Sequence, residues 1–274
     1  MPAPPERASP TALTSQRNII LALLIAAAVV SWAMLIRQQT GMDADMDMGM
    51  SIYSPTMGMT APLFLAVWIV MMIAMMFPTA APMILTFHQV QAAKRARGAT
   101  FISTWVFVAG YMLVWSLTGV LAFAGAAGAE MLGGQMGLST ATAARIGGAL
   151  LIAAGAYQLS PLKDLCLAKC RTPIGFILTS WRDGRWGAAR MGLQHGAFCL
   201  GCCWLLFLAL FPLGIMNVAA MAVVTLLIFA EKTLPSGDRI AKVSGVALLL
   251  YGAAVLIVPQ ALPTFRAAQG MMMN

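Results

Sequence analysis

Charged residues are scarce in this sequence: Asp, Glu, Lys and Arg make up 9% of its 274 residues, against a hydrophobic share of 60%. A soluble domain carries about 25% charged residues, so a soluble globule is excluded. Histidine occurs twice and cysteine five times. The chain has no C-x-x-C-H sequence, which removes covalently attached haem, and two histidines are thin support for haem of any kind. It has no G-x-x-x-x-G-K-[ST] loop, so ATP-driven pumping by this chain alone is not expected. A serine-triad signature is missing as well. An enzyme is therefore the less favoured class, and a metal-binding or transport protein the more favoured one.

Long apolar runs fill the space that charge leaves. Seven candidate spans lie at about 19–36, 62–87, 101–124, 142–160, 191–212, 216–232 and 239–258. Most approach or exceed the roughly 20 residues that cross a bilayer as a helix. The first is too long for a signal-peptide core and is expected to be retained. The fold class is thus all-α, a polytopic membrane helix bundle of about seven transmembrane helices.

The net charge of +8 does not point to nucleic acid, because its placement follows the spans. With a cytosolic N-terminus, fourteen basic residues, among them Lys94, Arg95, Arg97, Lys163, Arg182 and Lys242, lie inside. Only Arg37, Arg145 and Arg266 lie outside. This bias follows the positive-inside rule and places the C-terminus in the periplasm of a bacterial inner membrane, with lipid as a partner. The expected divisions are a disordered tail (1–18), the first span (19–36), a Met/Asp-rich periplasmic loop (37–61), the metal-binding bundle (62–258) and a periplasmic tail (259–274).

The expected topology sorts the sulfur. The outer loop holds Met42, Met46, Met48, Met50, Met57 and Met59 among Asp43, Asp45 and Asp47, with Met271, Met272 and Met273 on the same side. All five cysteines fall in the inner loop 161–190 or in the span that follows it. A thioether cannot form a disulfide in an oxidising compartment, and both kinds of soft sulfur suit Cu(I). Isolated methionines such as Met34 or Met112 are core filler. A polar loop has no core to fill, so Met46, Met48 and Met50 are candidate metal ligands. MMIAMMFPTAAPM follows in the second span. There Met72, Met75 and Met76 form a candidate ladder of neutral ligands, Pro78 and Pro82 interrupt the helix, and His88 stands at the inner end.

HGAFCLGCCW then sets His195, Cys199, Cys202 and Cys203 at helical intervals that share a face. At 1.5 Å per residue the thiols lie roughly 12–18 Å deep. In SPLKDLCLAKCRTP, Pro161 starts and Pro173 ends a short helix whose Cys166 and Cys170 share one side. Lys163, Lys169 and Arg171 are expected to favour their thiolates. A single buried cysteine is ordinarily an inert small hydrophobe, but five gathered around one histidine point to metal or redox chemistry. Cu(I) accounts for both thioethers and thiols, whereas zinc accounts for the thiols alone. Cys199 and Cys202 have C-x-x-C spacing, so a thiol–disulfide redox protein is the main rival. A zinc-stabilised structural subunit is another. Glu231 and Lys232 are expected to pair at a helix end. A small soluble metal-binding companion or a homo-oligomer fits the cargo role.

The stretches YQLSPLKDLCLAKCRTP, WRDG, MGLQHGAFCLGCCW, GIMN and EKTLPSG, with MMIAMMFPTAAPM before them, resemble a bacterial family described as predicted metal-binding integral membrane proteins, a domain of unknown function. The resemblance covers roughly residues 60–255. It implies a multi-helix membrane protein that binds a metal, with Cys166, Cys170, His195, Cys199, Cys202 and Cys203 in its motif positions. The outer Met-rich loop lies outside it, so copper rests on ligand chemistry alone.

Overall fold

The computed structural model describes residues 10–46, 56 and 58–264, with side chains from residue 15 to 41 in the first stretch. The described residues form nine α-helices and no strand: α1 (Pro10–Met46), α2 (Ala61–Ala96), α3 (Thr104–Gln135), α4 (Thr140–Gln158), α5 (Pro161–Arg171), α6 (Pro173–Ser180), α7 (Gly184–Leu213), α8 (Val218–Thr233) and α9 (Gly237–Ile257). A 3₁₀ turn, Pro259–Ala261, follows.

Five of these helices, α1, α2, α3, α7 and α9, are long and apolar enough to cross a membrane. The two other expected spans fall on α4 and α8. Polar Thr140, Thr142 and Arg145 open the 19-residue α4. α8 has 16 residues, about 24 Å at 1.5 Å per residue, short of a hydrocarbon core of about 30 Å. α1 and α2 both run past the bounds of the spans expected there.

Side-chain bonds between helices sort the loops into two ends. At one end Gln39 Oε1 accepts from Val218 N (3.0 Å), Thr56 bonds Glu130, and Thr264 Oγ1 donates to Pro212 O (2.9 Å). At the other, Lys94 pairs with Asp183, and Arg171 Nη1 lies 2.5 Å from Asp238 Oδ1. The Lys94 ammonium holds the Asp183 carboxyl below the usual carboxylate range, and the Trp181 indole adds to the effect. Lys94 also sits 4.7 Å from the Trp181 ring centre.

Two proline-interrupted turns shape α2. Pro78 has no N–H to give the carbonyl of Ala74. Trp32 Nε1 of α1 donates to that oxygen at 3.1 Å instead. The freed carbonyl is thus resatisfied by a neighbouring helix, as apolar surroundings require. Small residues bring other helices close. A Cβ on Gly155 of α4 would sit 2.6 Å from the Gly245 carbonyl oxygen of α9. A Cβ on Gly192 of α7 would strike the Phe107 carbonyl of α3. Such contacts are the usual means of tight helix packing in lipid, where apolar side chains gain nothing by leaving it. Around them a continuous core joins α2, α3, α7 and α8 and includes Met71, Met72, Met75, Met76, Tyr111, Cys199, Cys202 and Cys203.

Candidate metal centre

α7 carries the centre along one buried face. Met191, His195, Cys199, Cys202 and Cys203 are all buried, the three thiols at 1% exposure each. Met191, His195, Cys199 and Cys203 recur every four residues and Cys202 lies three from Cys199, so one helix side presents them all. α5 closes over that side. Ser160 Oγ caps it by accepting from Lys163 N (3.3 Å), and Pro161 occupies its first turn. At its far end Thr172 precedes Pro173 and leaves the helical region. Half-buried Cys166 and Cys170 lie on α5 beside buried Leu167.

Gly201 of α7 makes room for α5, because a Cβ there would sit 2.7 Å from Cys166 Sγ. The Cys170 thiol lies close enough to Cys199 and Cys202 for their sulfurs to act on its ionisation. Hydrogen bonding with Cys199, then Cys202, pushes the Cys170 thiol well above its usual range, and burial pushes Cys166 up. The expected help from Lys163 and Arg171 is absent because both are engaged elsewhere. Lys163 Nζ, fully buried, lies 2.6 Å from Glu231 Oε2 and also bonds Gln158 Oε1. Gln158 Nε2 in turn donates to Glu231 Oε1 and Ser244 Oγ, both at 2.8 Å. This buried network ties α5 to α4, α8 and α9.

Lys232 is the cation that reaches the sulfurs: its Nζ donates to Cys199 Sγ at 3.0 Å. Tyr111 Oη lies 3.2 Å from the same sulfur. Neighbours on a helix do not face the same way, so Glu231 and Lys232 serve different partners instead of each other. Sequence position showed an acid and a base in an apolar run. It did not show their partners, which come from α4, α5 and α7.

Cys202 and Cys203 donate their S–H groups to Cys199 O, at 3.1 and 2.9 Å. His195 stacks on Tyr111 (5.5 Å between centroids) and Phe107 (6.0 Å), with Phe176 edge-on at 5.6 Å. Its Nδ1 is buried without a hydrogen-bond partner. Among the described residues no group of three or more His, Cys, Asp or Glu side chains stands ready to hold a metal ion. The thiols are instead satisfied by backbone, Tyr111 and Lys232. The donor set nonetheless fits a soft cation, since each S–H bond can be exchanged for a metal–sulfur bond and His195 Nδ1 is engaged by no hydrogen bond.

The other expected ligands are dispersed. Met72, Met75 and Met76 are fully buried on α2. His88 Nδ1 lies 3.1 Å from Thr104 Oγ1 and its buried Nε2 has no partner. No hydrogen bond or ring contact joins His88 to the thiols among the described residues. The side chain of Met46, at the end of α1, and all of Met48 and Met50 lie outside the described residues.

The fold is an all-α apolar helical bundle that carries five free thiols on two of its helices. Residues 65–255 match the PpoB2 family, described as a copper chaperone. The chain belongs to that family. The matched segment runs from α2 into α9 and contains both cysteine-bearing helices, while the Met/Asp loop precedes it. Copper thus enters through the family as well as through ligand chemistry, and the family's description says nothing of a membrane. No curated protein and no solved structure matches.

Proposed function

We propose that this chain is a multi-pass protein of the bacterial inner membrane that binds Cu(I) and passes it on as cargo. α4 and α8 complete seven spans, the N-terminus is cytosolic and the C-terminus periplasmic. The approach of Cys170 on α5 to Cys199 and Cys202 on α7 carries the reading, because residues distant in sequence bring soft donors into one buried place. The copper-chaperone family and five apolar helices of spanning length support it. Cys166, Cys170, Cys199, Cys202, Cys203 and His195 are the inner donors. Each thiol that takes up Cu(I) forms a sulfur–copper bond and releases its proton, with no change in oxidation state. Met46, Met48 and Met50 gather the ion outside. Met72, Met75 and Met76 offer weaker neutral donors along α2, ending near His88. A small soluble copper-binding companion receives or supplies the ion.

Metal analysis of the purified full chain tests this. Copper is expected to co-purify after loading under reducing conditions and to fall several-fold in Cys199→Ser/Cys202→Ser. Stoichiometric zinc in place of copper sinks the copper reading in favour of a structural metal. A Cys199–Cys202 disulfide trapped from cells, with no bound copper, favours the thiol relay.

A further inference from the structure

A small cleft opens at the end of the bundle away from the thiols. It is lined by three methionines from three segments: Met59 before α2, Met71 on α2 and Met216 in the turn between α7 and α8. Phe64, Trp68 and Ile215 complete most of its wall. We propose that Met59, Met71 and Met216 form a thioether site for a monovalent soft cation, Cu(I), separate from the thiol centre. The choice of cargo rests on the copper-binding reading above.

Methionine in a core ordinarily fills gaps. These three line a gap instead. Met71 is buried at 1% exposure and Met216 at 7%, while Met59 is partly exposed. One donor therefore faces the approach and two lie at the buried side. The wall offers only soft or apolar groups, which hold a weakly hydrated Cu(I) and give no oxygen ligands to a hard cation. The donors are neutral, so the ion's single charge is the sole charge buried. The aromatic rings of Phe64 and Trp68, stacked at 6.1 Å, supply electron-rich walls. Trp68 is fixed by donating from Nε1 to Trp115 O at 3.0 Å.

The position also fits entry. The cleft lies at the end where Glu130 accepts from Thr56 N (3.1 Å) and Thr56 Oγ1 (2.9 Å), and Met59 N donates to Thr56 O (3.1 Å). A carboxylate thus anchors the segment that follows the Asp/Met stretch. Met71 is succeeded on α2 by buried Met72 and Met75. Along α7, Cys203 and Leu213 are about 15 Å apart at 1.5 Å per residue, too far for one ion to touch both centres.

Silver(I), a redox-stable soft cation, is the probe. The full wild-type chain is labelled with ¹³C at the methionine methyls and titrated in detergent. The Met59, Met71 and Met216 methyls, assigned by single leucine replacements of similar volume, are expected to shift together. The triple variant Met59→Leu/Met71→Leu/Met216→Leu is expected to lose about one Ag(I) per chain. Unmoved methyls at saturating silver, or an unchanged stoichiometry in the triple variant, overturn the site. Cys199→Ser/Cys202→Ser separates the two readings. If it retains all its silver while the methyls still shift, the thiol centre fails and the thioether site stands. If thiol-dependent binding persists with silent methyls, the reverse holds.

Discussion

Cys166 and Cys170 are held as neutral thiols, the second by its hydrogen bonds to Cys199 and Cys202 and the first by burial. A metal binds the thiolate, so loading must displace protons. With folded pKa values raised, both groups stay protonated at neutral pH, and acid strengthens the competition of protons against copper. Titration of Cu(I) into weakly buffered reduced protein is therefore expected to release protons, and affinity to fall as pH drops from 8 towards 6. Proton-neutral loading would show that neither thiol is a ligand. The cysteines themselves were legible as a cluster because their helical spacing is local. The identity of the neighbouring cation was not. Lys163 and Arg171 are near Cys166 and Cys170 along the chain, yet Lys232, more than sixty residues from Cys170, supplies the ammonium at Cys199. The same holds for Met216, which only folding sets beside Met59 and Met71.

α5 is too short to hold its place by intrinsic helicity, because isolated helices below about 12–15 residues are marginal in water. What fixes it is the buried Lys163–Glu231 pair with its Gln158 and Ser244 extensions. Removing one member of a buried pair leaves an uncompensated charge. Lys163→Met is expected to cost about 3–5 kcal/mol in thermal or denaturant unfolding followed in detergent, and to free Cys166 and Cys170 for alkylation. Adding Glu231→Gln is expected to recover much of the loss. A full-cost double variant would mean that packing, not charge, holds α5. The ends of α5 are plain from Pro161 and Pro173, as are the backbone donors missing from α2 at Pro78 and Pro82. That Trp32 repairs the Pro78 gap was beyond sequence reading, because the repair crosses from one helix to another. The apolar run around 216–232 does not by itself show that α8 closes after 16 residues.

Over the whole molecule, the two loop ends differ in chemistry as well as in charge. Lys94, Asp183, Arg171 and Asp238 gather at one end, and Thr56, Glu130 and Met216 at the other. Under the proposed orientation an acceptor peptide inserted at Gly98 is modified by an enzyme in the cytosol, whereas one at Gly137 is reached only from outside. The reversed pattern would invert the direction in which copper meets the thioethers and then the thiols. Helical content and the grouping of apolar segments followed from composition. The pairing of α3 with α7 and of α4 with α9 followed instead from glycines such as Gly192 and Gly155. The roofed position of the three α7 sulfurs, each at 1% exposure, sets the tempo of any exchange. A chelator in solution does not reach these three sulfurs, so release from them waits for the α5 roof to lift. Copper held there would be long-lived against scavengers yet quickly surrendered to a partner able to pry that helix away.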